Sequence, residues 1–97
     1  MSSEEFIKYA KGIVYDYAKS QIDKTDNVKF SAEDVHVVWY NFTLGNSKAL
    51  LSTNLPDGMY YEVTYNANRD EIYFDAYKKW INRCISLEEI KKKKITE

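Results

Sequence analysis

Two segments in the second half of the sequence alternate between apolar and polar residues, with one short polar stretch between them. Residues 59–66 and residues 71–77 each place every second side chain on one side, which is the period of a half-buried β-strand. The polar residues 66–70 between them are typical of a tight turn. The pattern predicts a β-hairpin. Its predicted apolar side comprises Tyr61, Val63, Tyr65, Ile72, Phe74 and Ala76.

Two further strands are predicted before this hairpin. Residues 35–42 are rich in β-branched and aromatic side chains, and residues 48–53 form a second, shorter run. Gly45 and Asn46 mark the turn between these two runs, and Pro56, Asp57 and Gly58 mark the turn before the hairpin. Short connections join neighbouring antiparallel strands, so the order predicts a four-stranded antiparallel meander.

The first segment of the chain predicts a long amphipathic helix, from Ser2 to about Asp23. Ser2 and Glu5 have the spacing of a capping box, in which the hydroxyl and the carboxylate each accept an orphan N–H of the first turn. The apolar stripe requires a sheet to cover, because a helix of this length is marginal alone in water. The residues expected to cover the sheet are Phe6, Ala10, Ile13, Val14 and Tyr17.

The apolar spacing changes from strand-like to helical after Tyr77. The spacing predicts a helix from about Ala76 to Cys84, with Cys84 buried as a small apolar side chain. Residues 87–94 are compatible with either a second short helix or a frayed tail. The predicted fold is therefore α+β: a long N-terminal helix on a four-stranded antiparallel meander, with a short C-terminal helix. With 97 residues the chain is expected to form one domain, of which residues 88–97 are a mobile basic tail.

Few residues in the sequence are suited to catalysis or metal binding. His36 is the only histidine and Cys84 the only cysteine, whereas a structural zinc site requires four nitrogen or sulfur ligands. No glycine-rich phosphate loop is present, and we expect no catalytic residues, no cofactor and no metal. A single cysteine and the lack of a long apolar run favour a cytoplasmic protein that does not insert into membranes.

The charges are divided unevenly along the chain. Residues 1–77 hold seven basic and twelve acidic residues, whereas residues 78–97 hold seven basic and three acidic ones. The body is therefore expected to repel nucleic acid, while the tail alone would attract it. The alternative function is accordingly nucleic-acid binding, through aromatic residues of the sheet and a basic tail. The tail residues concerned are Lys91, Lys92, Lys93 and Lys94.

Aromatic residues are in excess, with nine tyrosines, two tryptophans and four phenylalanines. Part of this set packs the core or forms cross-strand ladders, and the rest is available to a partner. Because carboxylates rather than lysines lie among the hairpin tyrosines, a protein partner fits better than a phosphate backbone. The predicted partner-binding residues are Tyr60, Glu62, Tyr73, Asp75 and Tyr77. The pattern leaves open whether the chain is a monomer or a homodimer.

Three segments are the most distinctive in the sequence: KALLST at 48–53, DGMYYEVTYN at 57–66 and EIYFDAYKKW at 71–80. Together with EEFIKYAK at 4–11 and DKTD at 23–26, they resemble a family of small proteins of unknown function from phages and prophages of low-GC Gram-positive bacteria. The resemblance spans roughly residues 4–85 and implies a cytoplasmic protein in a bacterial host. By analogy of class, such a protein binds a host protein and inhibits or redirects it, as in anti-CRISPR, anti-restriction or replication takeover.

Overall fold

A computed structural model describes residues 1–25 and 27–93 of the chain. The elements are α1 (Ser3–Gln21), a single 3₁₀ turn (Ala32–Asp34), β1 (Val35–Thr43), β2 (Asn46–Thr53), β3 (Met59–Asn66), β4 (Glu71–Lys78) and α2 (Leu87–Lys92). The four strands form one antiparallel sheet in the order β1-β2-β3-β4. The predicted α+β fold, with a long N-terminal helix, a four-stranded antiparallel meander and a short C-terminal helix, is confirmed, and the short helix is α2.

Helix α1 begins at the predicted capping box. The Glu5 amide donates to the Ser2 hydroxyl oxygen over 3.1 Å, and the Glu5 carboxylate accepts from the Ser2 amide over 3.4 Å. The helix ends at Ile22, whose amide donates to the Lys19 carbonyl. The cap satisfies two groups that a helix start otherwise leaves without partners, which fixes where α1 begins.

The core lies between α1 and one face of the sheet. Three residues expected to cover the sheet, Phe6, Ala10 and Val14, are fully buried, while Ile13 and Tyr17 are half-buried against the core. Phe74 stacks on Tyr61 with ring centroids 5.9 Å apart. We call this side of the sheet the helix face. Its strand residues in the buried core are Val35, Ala49, Leu51, Tyr61 and Val63.

Strand β1 contains a bulge at Val38. The pairing with β2 shifts there, so that Val37 lies opposite Leu51 and Trp39 opposite Leu50. The bulge explains why residues 35–42 show no clean alternation: the helix face receives Val37 before it and Tyr40 after it.

The C-terminal part of the chain differs from the sequence prediction. The predicted helix from Ala76 to Cys84 is wrong, because residues 76–78 continue β4 and residues 79–86 have no regular structure. The Lys79 amide donates to the Gly58 carbonyl over 2.7 Å, which extends the hairpin pairing in place of a helix turn. The predicted burial of Cys84 is also wrong: the thiol is exposed, because its segment does not pack on the body.

Candidate protein-binding face

The sheet face opposite α1, which we call the open face, carries all five predicted partner-binding residues. Their positions follow from the β3–β4 register, in which Tyr60 lies opposite Tyr77 and Glu62 opposite Asp75. Tyr73 lies opposite Thr64 on the same side. Directly paired residues of an antiparallel sheet point to the same face, so the five side chains form one contiguous surface across two strands.

The exposure of these residues fits a surface that a partner can reach. Tyr73 is 47% exposed and Tyr77 is 52% exposed, while Tyr60 and Glu62 are half-buried among their neighbours. Asp75 is exposed. A half-buried ring is held in place by packing and still offers one side to a ligand, which lowers the entropy lost on binding.

Strands β1 and β2 extend the same surface with residues that the sequence did not single out. Trp39, 42% exposed, lies opposite Leu50, and Leu50 lies opposite Glu62 in the next strand. The row Trp39, Leu50, Glu62, Asp75 therefore crosses the whole sheet. Trp39 was missed because the bulge at Val38 changes which β1 residues face which side. The one sequence signal was the break in alternation within residues 35–42.

The charge of the open face is predominantly negative. The Lys48 ammonium lies 3.2 Å from Glu62 Oε1 and offsets that carboxylate. Asp75 lies directly opposite Glu62, an arrangement of like charges that weakens a sheet. A basic group of a partner placed between these two carboxylates would relieve that repulsion, which is a physical reason for selectivity toward basic surfaces.

Tyr73 is tied to a carboxylate on its own strand. Its hydroxyl donates to Glu71 Oε2 over 2.5 Å. This hydrogen bond and the nearby negative charge of Glu71 raise the pKa of the Tyr73 phenol above its ordinary value of 10.0. The bond also restrains a ring that is 47% exposed to solvent.

The residues of the alternative hypothesis, nucleic-acid binding, follow the open face in the sequence and lie in the C-terminal segment. Lys91 and Lys92 are the last residues of α2, and Lys93 follows as its C-cap; all three are exposed. Lys94 lies outside the described residues. Lys92 pairs with Glu88 one turn earlier over 3.5 Å, so part of the basic charge is offset. His36 is exposed, as expected from its alternation with Val35 and Val37.

A second concave surface lies between α1 and β1. This groove has a volume of about 670 Å³ and an apolar floor that includes Ile7, Val37 and Tyr40. Its charged rim consists of Glu4, Lys8 and Lys11 on the helix. Among residues 1–25 and 27–93, no three histidine, cysteine or acidic side chains lie close enough to hold a metal ion.

The model of a family of unknown function, DUF6275, matches residues 7–87. No curated protein and no solved structure matches the chain. Within the described ranges, neither helix is long and apolar enough to cross a membrane.

Proposed function

We propose, from the premise that the chain belongs to DUF6275, a family of unknown function, that it is a non-enzymatic protein-binding module. It binds its partner through the open face, with Tyr60, Tyr73 and Tyr77 as anchors and Glu62 and Asp75 as selective charges. The observation that supports this most directly is the register that brings these five residues together opposite α1.

The chemistry of the face favours a basic protein surface as the ligand. Tyrosine contributes a large contact area for little loss of side-chain entropy, and such anchors carry most of the energy of an interface. The adjacent carboxylates select for arginine or lysine and steer encounter at low salt. Phosphate oxygens would instead be repelled by Glu62, Glu71 and Asp75, which are opposed on this face by Lys48.

The biological setting belongs to the proposal. We propose that the protein is phage- or prophage-encoded, acts in the cytoplasm of a Gram-positive bacterial host, and inhibits or redirects a host protein. By analogy of class, the proposed partner is a host-defence nuclease, a restriction factor or a replication component, and the proposed contact is with its nucleic-acid channel. An acidic, tyrosine-rich face suits such a channel.

Two matched pairs of variants test the face. Tyr60→Ala and Asp75→Lys change it, whereas Tyr9→Ala and Asp16→Lys make the same changes at exposed positions of α1. Affinity for a host protein captured with the wild type is then measured for each variant. Loss of an anchor should weaken binding by about 1–4 kcal/mol, and the α1 variants should bind as the wild type does.

Salt dependence and melting complete the test. The binding lost in Asp75→Lys should be largest at low ionic strength, since exposed charges are screened over about 8–10 Å at physiological salt. Circular dichroism should show all four variants folded. Unchanged affinity in both open-face variants would place the site elsewhere, with the segment around Trp80 and Arg83 as the next candidate.

The alternative, nucleic-acid binding through Lys91, Lys92, Lys93 and Lys94, is supported by the exposure of the first three. Truncation after Leu87 separates the two functions. If the tail binds a phosphate backbone, truncation lowers the affinity for DNA or RNA and reduces its salt dependence. If the full chain binds no nucleic acid at low salt, the alternative is excluded.

A further inference from the structure

The two edges of the sheet are protected to very different degrees. An edge strand presents free backbone donors and acceptors, and proteins commonly blunt it with a bulge, a proline or a short strand. Strand β1 has the bulge at Val38. Strand β4 has neither proline nor glycine, and its one lysine, Lys78, is its last residue. It pairs with β3 without interruption over all eight residues from Glu71 to Lys78. Among residues 1–25 and 27–93, no strand pairs with the outer edge of β4, which is therefore the edge open to a further strand.

The register shows which backbone groups of β4 are free. The Lys79 amide bonds the Gly58 carbonyl, and N–H groups alternate sides along a strand. The odd-numbered residues of β4 therefore bond to β3. The even-numbered residues direct their N–H and C=O groups to the open edge. In the central part of the strand these are Ile72, Phe74 and Ala76.

Exposed apolar side chains are concentrated at the same edge. On β4, Ile72, Tyr73 and Tyr77 are 37%, 47% and 52% exposed. Immediately after the strand, Trp80 is 93% exposed and Ile81 is 59% exposed. Ile72 lies on the helix face and Tyr73 and Tyr77 lie on the open face, so exposed apolar area flanks the β4 edge on both sides of the sheet. Exposed apolar area of this kind is typical of an interaction site, and the outward-directed backbone groups suit the addition of a strand.

We propose that the added strand is β4 of a second copy of this chain, paired antiparallel about a twofold axis. Phe74 then lies opposite Phe74 of the second copy, and Ile72 opposite Ala76 of the second copy. The even-numbered residues of both strands face each other in hydrogen-bonded pairs, so the free groups of both edges are satisfied. The product is a continuous eight-stranded sheet.

The charges of β4 favour this register over the two registers next to it. It places Tyr73 opposite Asp75 of the second copy, and it brings Lys78 to the start of β4 of the second copy, beside the acidic residues Asp70 and Glu71. The even-numbered residues also pair with each other when the twofold axis is moved by one residue along β4, from Phe74 to either Tyr73 or Asp75. One such shift places Asp75 opposite Asp75, and the other places Glu71 opposite Asp75. Like charges directly opposite each other destabilise a sheet, so both alternatives are disfavoured.

Substitutions at the two edges test the pairing. Ile72→Lys places a lysine on the β4 edge, and Val38→Lys makes the matched change at the 48% exposed bulge residue of β1. Lysine on an edge strand opposes strand addition. In analytical ultracentrifugation over a dilution series, wild type and Val38→Lys should show the same dimer dissociation, and Ile72→Lys should be monomeric.

A backbone variant provides a second measurement. Ala76→Pro removes an N–H that points to the open edge and leaves the β3 pairing intact, which edge strands tolerate. By symmetry two interface hydrogen bonds are lost, so the dimer dissociation constant should rise roughly 10- to 100-fold. A wild-type chain that stays monomeric at NMR concentrations, or an Ile72→Lys variant that dimerises like the wild type, would overturn the proposal.

Disulfide trapping tests the register itself. In a Cys84→Ser background, Tyr73→Cys combined with Asp75→Cys should form a disulfide-linked dimer, because directly opposite non-hydrogen-bonded positions are about 4.5 Å apart between Cα atoms. Neither single cysteine variant should cross-link. Efficient dimers from Asp75→Cys alone or from Tyr73→Cys alone would show a shifted register and refute the pairing proposed here. All these results are independent of whether the open face binds a host protein.

Discussion

Replacement of Phe6 by alanine tests whether α1 holds the sheet in the way the structure shows. Phe6 is fully buried, and its ring centroid lies 5.8 Å from that of Tyr40. The ring fills the space between the first turns of α1 and strand β1. Because α1 is the only long helix in the described part of the chain, the sheet has no other cover on this side.

The cost of the substitution follows from burial. Truncation of a fully buried phenylalanine to alanine costs about 3–5 kcal/mol, including the cavity that remains. Alanine returns up to about 0.7 kcal/mol through its higher helix propensity. A domain of this size has a free energy of unfolding of roughly 5–15 kcal/mol, so a large part of its stability is lost. The melting temperature should fall by on the order of 10–25 °C.

Tyr9→Ala is the matched control. Tyr9 lies one turn along the same helix and is 47% exposed, so its truncation should change stability by less than about 1 kcal/mol. Urea unfolding followed by circular dichroism measures the stability of both variants. If the slope of the unfolding free energy against urea concentration is the same as in the wild type, the folded and unfolded states are the same in all three proteins. Equal losses in the two variants, or a loss below about 1 kcal/mol for Phe6→Ala, would refute the orientation of α1.

Two further predictions concern a turn and a titration. Leu44 has φ of 54° and precedes Gly45 with φ of 81°, so Leu44→Asn should stabilise the two-residue hairpin turn by about 0.5–1 kcal/mol in urea unfolding, whereas Gly45→Ala should destabilise it. The pKa of Tyr73 is raised, so at any pH below its ordinary pKa the phenol keeps its proton and donates to Glu71. The hydrogen bond and its contribution to stability are lost as the pH rises through the raised pKa. Glu71→Gln should therefore shift the Tyr73 titration, followed by NMR, back toward 10.0; an unchanged titration would show that Glu71 does not govern it.

Local signals were sufficient to predict most of the fold. The alternation in residues 59–66 and 71–77 gave the hairpin, and the observed strands β3 and β4 match it to within one residue. The Ser2–Glu5 capping box located the start of α1. These signals are reliable because they depend on contacts within one turn or on a period that burial on one face imposes.

The errors arose where tertiary contacts outweigh the local pattern. Residues 76–84 have helical apolar spacing, yet pairing with β3 continues through Lys78 and the Gly58–Lys79 hydrogen bond. An apolar stripe predicts a helix only where there is a surface to cover, and α1 already occupies the helix face. The place of Trp39 on the open face likewise depends on a bulge, which no local period reveals.

The open face and the β4 edge share two residues, which determines how substitutions can be interpreted. Tyr73 and Asp75 belong to the proposed partner-binding face, and the proposed strand pairing also places them opposite each other across the twofold axis. A loss of partner capture in Tyr73→Ala would therefore not by itself distinguish a lost contact from a lost dimer. Tyr60 pairs with β4 from within the sheet, away from its edge, whereas Ile72 points to the helix face. Tyr60→Ala thus affects the face alone and Ile72→Lys the edge alone.

The pairing would also place two acidic, tyrosine-rich faces side by side on one sheet. A partner with two basic patches would then gain from avidity, which Ile72→Lys removes without altering either face.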